Sequence, residues 1–107
     1  MTDPDTAVDH ILKNAGKFAK AKSERVYLEE FRKSKKAILM SQSPEPTAVA
    51  REQWAYGHAE YLELIVGLKN SVEVEEKLRW ELIAAQARID IWRTKQANNR
   101  MIEKATL

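Results

Sequence analysis

Apolar positions recur at helical spacing along almost the whole chain, on either side of a single break at 41–47. There Pro44 and Pro46 remove backbone donors and disfavour helical geometry in the residues before them. Downstream of the break, Leu78, Leu82, Ala85, Ile89 and Trp92 fall within about 40° of one another on a helical projection. Their 4-3-4-3 spacing is that of coiled-coil a and d positions. Trp80, Ile83, Ala84, Ala87 and Ile91 gather on the opposite side, between about 140° and 240°. A helix apolar on two faces lies between two neighbours. One is the first helix of the same chain; the second is supplied most simply by a partner subunit in a two-fold dimer.

Upstream, Val8, Ile11, Leu12, Ala15, Ala19 and Val26 share one face. Tyr27, Phe31 and Ile38, with Leu28 and Leu39 beside them, point more than about 100° away on a straight-helix count. Either the helix bends near Gly16 or its halves meet different partners, and the second reading is preferred. The pattern predicts an all-α chain: a long helix over about 5–41 capped by Asp5 or Thr6, a Pro-rich turn at 42–47, a short helix over about 48–56 with Thr47 as N-cap and Gly57 as its end, and a long helix over about 58–104. Glu73 with Lys77 and Glu75 with Arg79 stand in the favourable i,i+4 order, and Gly67 with Asn70-Ser71 marks where the last helix would bend. No strand signal and no internal repeat occur. Helices of this length would be roughly 50–70 Å long. The expected architecture is an elongated, coiled-coil-like antiparallel hairpin spanning 1–107 as one domain, and dimeric.

Composition narrows the chemistry. The 107 residues include no Cys and three isolated Gly, with 44% hydrophobic and 32% charged residues. Disulfide scaffolds, cysteine-ligated zinc, collagen-like repeats and Gly-rich phosphate loops are thereby excluded. No apolar run approaches the ~20 residues that cross a bilayer, and the sequence from Met1 lacks the pattern of a secretory signal. A soluble cytoplasmic protein without a membrane partner is the expectation. The only histidines are His10 and His58, and neither has the spacing of a catalytic or metal-binding pair. No catalytic residue, cofactor, metal site or small-molecule substrate is expected.

The net charge of +2 conceals an uneven distribution. Residues 13–36 carry nine bases against three acids, 60–81 six acids against three bases, and 88–104 five bases against two acids. Mutual attraction of basic and acidic segments is the simplest use of this order. Lys13, Lys17 and Lys20 form one stripe, Arg25, Arg32 and Lys36 a second, and Arg93 and Arg100 a third. Such stripes are candidates to bind nucleic acid or another anionic partner through phosphates. Trp80, Ile83, Ala87, Ile91 and Trp92 are candidates for a packed protein interface, and Trp54 and Tyr56 for an exposed protein anchor.

The run from Phe18 through Ala37 carries a resemblance, as do Arg51-Glu52 with Ala55-Tyr56 and the run from Glu75 to Trp80. The stretch Ala84-Ala85-Gln86-Ala87-Arg88, with Trp92-Arg93 and Asn98-Asn99-Arg100, extends it. Together these resemble small helical proteins of tailed bacteriophages and prophages, over most of the chain beyond about Asn14. That group is largely without assigned activity, so the resemblance implies a phage setting, with DNA-metabolism gene clusters as the associated context, and no catalytic residues. Three readings follow. One is a non-catalytic phage accessory protein in DNA replication, recombination or repair, binding DNA or a DNA-processing protein through its basic helix. Another is a structural component whose helices build a homo-oligomer. A third is an inhibitor of a host enzyme.

Overall fold

A computed structural model describes residues 4–106, and all of the regular structure in them is helical. Helix α1 spans Pro4–Gln42, α2 spans Ala48–Tyr56 and α3 spans Ala59–Thr106. The three helices expected from the sequence are therefore present, and α1 and α3 pair as a helical hairpin. Helix α1 begins one residue earlier than expected. Pro4 stands where its missing N–H costs nothing and its fixed φ suits a first turn. Asp5 consequently lies inside the first turn, and neither it nor Thr6 is the N-cap. Thr47 caps α2 as expected, its hydroxyl accepting from the Ala50 amide at 3.2 Å. Gly57 ends α2 in a right-handed conformation (φ −87°), so the left-handed freedom of glycine is not used there. His58 opens α3: its Nδ1 accepts the Glu60 amide at 3.1 Å, and its carbonyl accepts the Tyr61 amide at 3.0 Å.

The Pro-rich turn is held by a residue that lies outside it. Arg51 on α2 reaches back and donates to the carbonyls of Glu45 at 2.9 Å and Pro46 at 3.2 Å. These carbonyls have no helical partner, and a guanidinium fork satisfies both at once. Ser43 contributes its hydroxyl as acceptor for the Glu45 amide at 3.1 Å.

The chain divides into two units, one joining the segment up to Ala19 with that from Glu76 onward, the other being Lys20–Glu75. In the first unit Ala7, Ile11, Asn14 and Phe18 of α1 turn inward, as do Leu78, Leu82, Ala85, Ile89, Trp92 and Gln96 of α3. In the second unit the inward positions of α1 are Ala21, Arg25, Leu28, Arg32, Lys35 and Leu39. Those of α3 are Tyr61, Leu64, Leu68, Ser71 and Glu75, and α2 adds Trp54 and Ala55. Along each long helix these positions follow one another at alternating steps of three and four, the signature of a coiled-coil seam.

The seam of α3 over 78–92 is the one its sequence predicts. That of α1 is not. Leu12 is 73% exposed and Tyr27 64% exposed, and Val8, Val26 and Ile38 are likewise exposed. Neither a bend at Gly16 nor a change of face between halves is needed, because one seam with polar members runs the length of the helix. Helix α3 is likewise unbroken through Gly67 and Asn70-Ser71.

Few of the side chains filling these seams are sealed from solvent. The buried apolar residues among those described are Ala7, Ala21, Leu39, Ala55 and Ala85, and Leu39 is the one large side chain sealed completely. No described helix is long and apolar enough to cross a membrane.

An added Cβ at Gly16 would meet nothing within 4 Å, inside a helix whose backbone gains nothing from glycine. Gly16→Ala is therefore expected to stabilise the fold by about 1 kcal/mol, read as a raised urea midpoint at unchanged m-value. A lowered midpoint would contradict the open surroundings of Gly16.

Candidate functional site

Two surfaces and one internal ion pair carry the chemistry of the chain. The ion pair sits in the seam of the Lys20–Glu75 unit. Arg25 donates from Nε and a terminal nitrogen to the two carboxylate oxygens of Glu75, at 2.5 and 2.9 Å. Its other terminal nitrogen donates to Glu29, one turn along α1, at 3.1 Å. The Glu75 side chain is only 9% exposed, so this fork-to-fork contact is the polar centre of the seam. Hydrogen bonding to Glu75, reinforced by the charge of Glu29, holds the Arg25 pKa above its ordinary value despite partial burial. Arg25 is thus committed within the chain and presents no free guanidinium to a phosphate.

The second half of α1 spends its other cations similarly. Lys36 lies 3.2 Å from the Glu52 carboxylate and 4.8 Å above the Tyr56 ring. The Tyr56 hydroxyl and then Glu52 push the Lys36 pKa above its usual value. Lys35 meets Glu60 at 3.5 Å, and Arg32 is half-buried in the seam. Basic segment on acidic segment is the pairing that the charge order suggested.

The aromatic residues of α2 are occupied too. Trp54 packs on the His58 ring with centroids 5.0 Å apart, and Tyr56 meets Tyr61 edge-on at 5.3 Å while its face carries Lys36. These contacts fasten α2 against α1 and the start of α3. Trp54 and Tyr56 are therefore structural members of this unit first, although Tyr56 keeps an exposed edge.

The free cations lie earlier in α1. Lys13, Lys17, Lys20 and Lys22 are exposed, and none has a carboxylate within 4 Å among the described residues. On α3, Arg93 approaches Asp90 at 3.9 Å. Arg100 donates to the Gln96 carbonyl at 3.4 Å, and both arginines line an open cleft with Trp92 and Gln96.

The apolar surface lies on the outer side of α3 in the unit that contains residues 76–106. Trp80 is 58% exposed, Ile91 53% and Ile83 43%, and Ala84 and Ala87 between them are exposed as well. Arg79 stacks its guanidinium 5.0 Å from the Trp80 ring centre and is held there by Glu76 at 2.7 Å. Trp92, grouped with these residues by sequence, faces the seam instead. In the same unit His10 stands 4.0 Å from Glu81, and its Nε2 has no hydrogen-bond partner among the described residues. Asn14 donates to the His10 carbonyl at 2.8 Å. No group of three His, Cys, Asp or Glu able to hold a metal occurs among the described residues.

Sequence reasoning did not find the Arg25–Glu75 bond, the Arg51 staple or the capping role of His58. The available signal for the first was the heptad phase itself, since 25 and 75 fall on seam positions of helices expected to run antiparallel.

Removing either partner of a desolvated ion pair strands the other charge, whereas replacing both does not. Arg25→Leu or Glu75→Leu alone is expected to lower Tm by roughly 10 °C, and the double variant to recover most of that loss. Thermal melts of the four proteins check it; additive losses in the double variant would contradict the assignment.

Comparison of the chain with protein families, with curated proteins and with solved structures finds no match.

Proposed function

We propose that this chain is a non-catalytic helical assembly protein that self-associates through the outer face of α3. The exposed band of Trp80, Ile83 and Ile91 carries this reading. Large apolar side chains left in water on one contiguous face are characteristic of a surface that another protein covers. Burying them returns about 25 cal/mol per Å² of apolar area, and an aromatic anchor at the centre of such a band dominates the association energy. Most apolar side chains of the seam within the chain are only half-buried, because two helices cover each other incompletely, so its stabilisation is modest, and a partner subunit adds what one copy lacks. A phage setting agrees with the likeness to small helical phage proteins.

One observation favours a second reading, the accessory role in DNA metabolism. Lys13, Lys17, Lys20 and Lys22 are solvated and unpaired among the described residues, unlike Arg25, Lys33, Lys35 and Lys36 farther along α1. A run of free ammonium groups along one helix fits a phosphate backbone and would give salt-dependent, sequence-independent affinity.

Sedimentation equilibrium is expected to find a dimer or larger oligomer at micromolar concentration. Trp80→Glu is expected to weaken association at least about 100-fold while leaving the helical circular dichroism unchanged. A wild-type monomer up to about 100 µM, a concentration that detects all but the weakest dimers, would overturn the assembly reading. For the second reading, titration of duplex and single-stranded DNA should give an affinity whose salt slope falls by about 2 in a Lys17→Ala, Lys20→Ala variant. Absence of salt-sensitive binding would remove it.

A further inference from the structure

We infer that the covering partner is a second copy of this chain, with the two α3 helices antiparallel and their two-fold axis passing between Ala85 and Gln86. This rests on the self-association reading and adds to it an occupant, a direction and a register.

The outer positions of α3 follow the same alternating step as the inner seam: Trp80, Ala84, Ala87, Ile91, with Ile83 alongside. They are symmetric in kind about the middle. Two alanines occupy the centre and a large apolar side chain stands at each end. An antiparallel partner in this register sets Trp80 on the partner's Ile91 and Ala84 on the partner's Ala87. The central alanines let the backbones approach to about 8 Å, the close end of helix packing, and the large ends then interlock across them. A parallel partner would instead set Trp80 on its own counterpart and Ile91 on its own, leaving the two ends of the band unequal in size about the alanines.

Charge selects the same direction. In this register residues 88–104, with five bases against two acids, lie on 67–83 of the partner, where Glu75 is spent on Arg25 and the remaining acids and bases balance. Antiparallel pairing thus avoids the basic-on-basic contact that parallel pairing would make. At the rim, Arg79 comes beside the partner's Asp90 on one edge, and Arg88 beside the partner's Glu81 on the other. Each pairing occurs twice by symmetry, as an isologous interface requires. One rim pairing in this register is repulsive, Lys77 against the partner's Lys95. That makes the register testable in both directions.

The chain has no cysteine, so introduced thiols report alone. Differently tagged Ala84→Cys and Ala87→Cys proteins, mixed and equilibrated in a glutathione redox buffer, are expected to form the mixed 84–87 disulfide well above the statistical share. Both sites are exposed, so neither substitution threatens the fold. In the same series Lys77→Glu should tighten the dimer roughly two- to tenfold, because two like-charge pairings become attractive. Predominance of 84–84 and 87–87 disulfides would overturn the antiparallel direction. Dimers that form no disulfide at either position would overturn this face as the interface while leaving self-association standing. A monomer in sedimentation would overturn both.

Discussion

One seam, spaced by threes and fours and interrupted by charge, governs this structure. Along α1 the inward positions alternate Asn14, Arg25, Arg32 and Lys35 with Ile11, Phe18, Leu28, Leu39 and two alanines, so apolar burial alone does not select a register between α1 and α3. The Arg25–Glu75 fork does. Sliding one helix by a turn would leave a nearly buried carboxylate without its partner, a penalty that adds to the lost apolar packing. Polar residues at seam positions commonly exchange stability for register in coiled coils. Here the exchange is carried by a bidentate pair, and Glu29 occupies a further donor of the guanidinium.

A seam built this way determines what remains outside it. Two helices cover each other's seam residues only in part, so most of those residues remain half-buried. The large apolar residues of α3 that do not fit the seam are displaced outward, where Trp80, Ile83 and Ile91 form a second band. The cations of α1 divide by the same logic. Arg25, Lys35 and Lys36 find acids on α3 and α2, whereas Lys13, Lys17, Lys20 and Lys22 find none among the described residues. Both candidate surfaces are therefore consequences of how the inner seam is filled.

Much of this organisation was legible in the residues. Pro44 and Pro46 place the turn, Thr47 caps the short helix, and the 78–92 stripe reads as a heptad because its members are nearly all apolar. The seam of α1 was illegible for two physical reasons. Arg25, Arg32 and Lys35 occupy inward positions, so an apolar stripe does not trace it. A straight-helix count also drifts about 20° per heptad from a 3.5-residue repeat, which amounts to about 80° between Ala7 and Lys35. Arg25 and Lys36 read as free cations because their partners, Glu75 and Glu52, are distant in sequence. Trp54 and Tyr56 read as exposed anchors because nothing local shows that His58, Tyr61 and Lys36 converge on them. The outer band of α3, by contrast, was visible as the second apolar face of a single helix.

The central claim is that this outer band is covered by another subunit while the inner seam is complete within one chain. Acrylamide quenching of a protein retaining only Trp80, with Trp54 and Trp92 replaced by phenylalanine, tests it directly. The account predicts that the indole is readily quenched at nanomolar concentration and becomes protected as concentration rises through the association range. A quenching constant that stays at the exposed value at every concentration would contradict it.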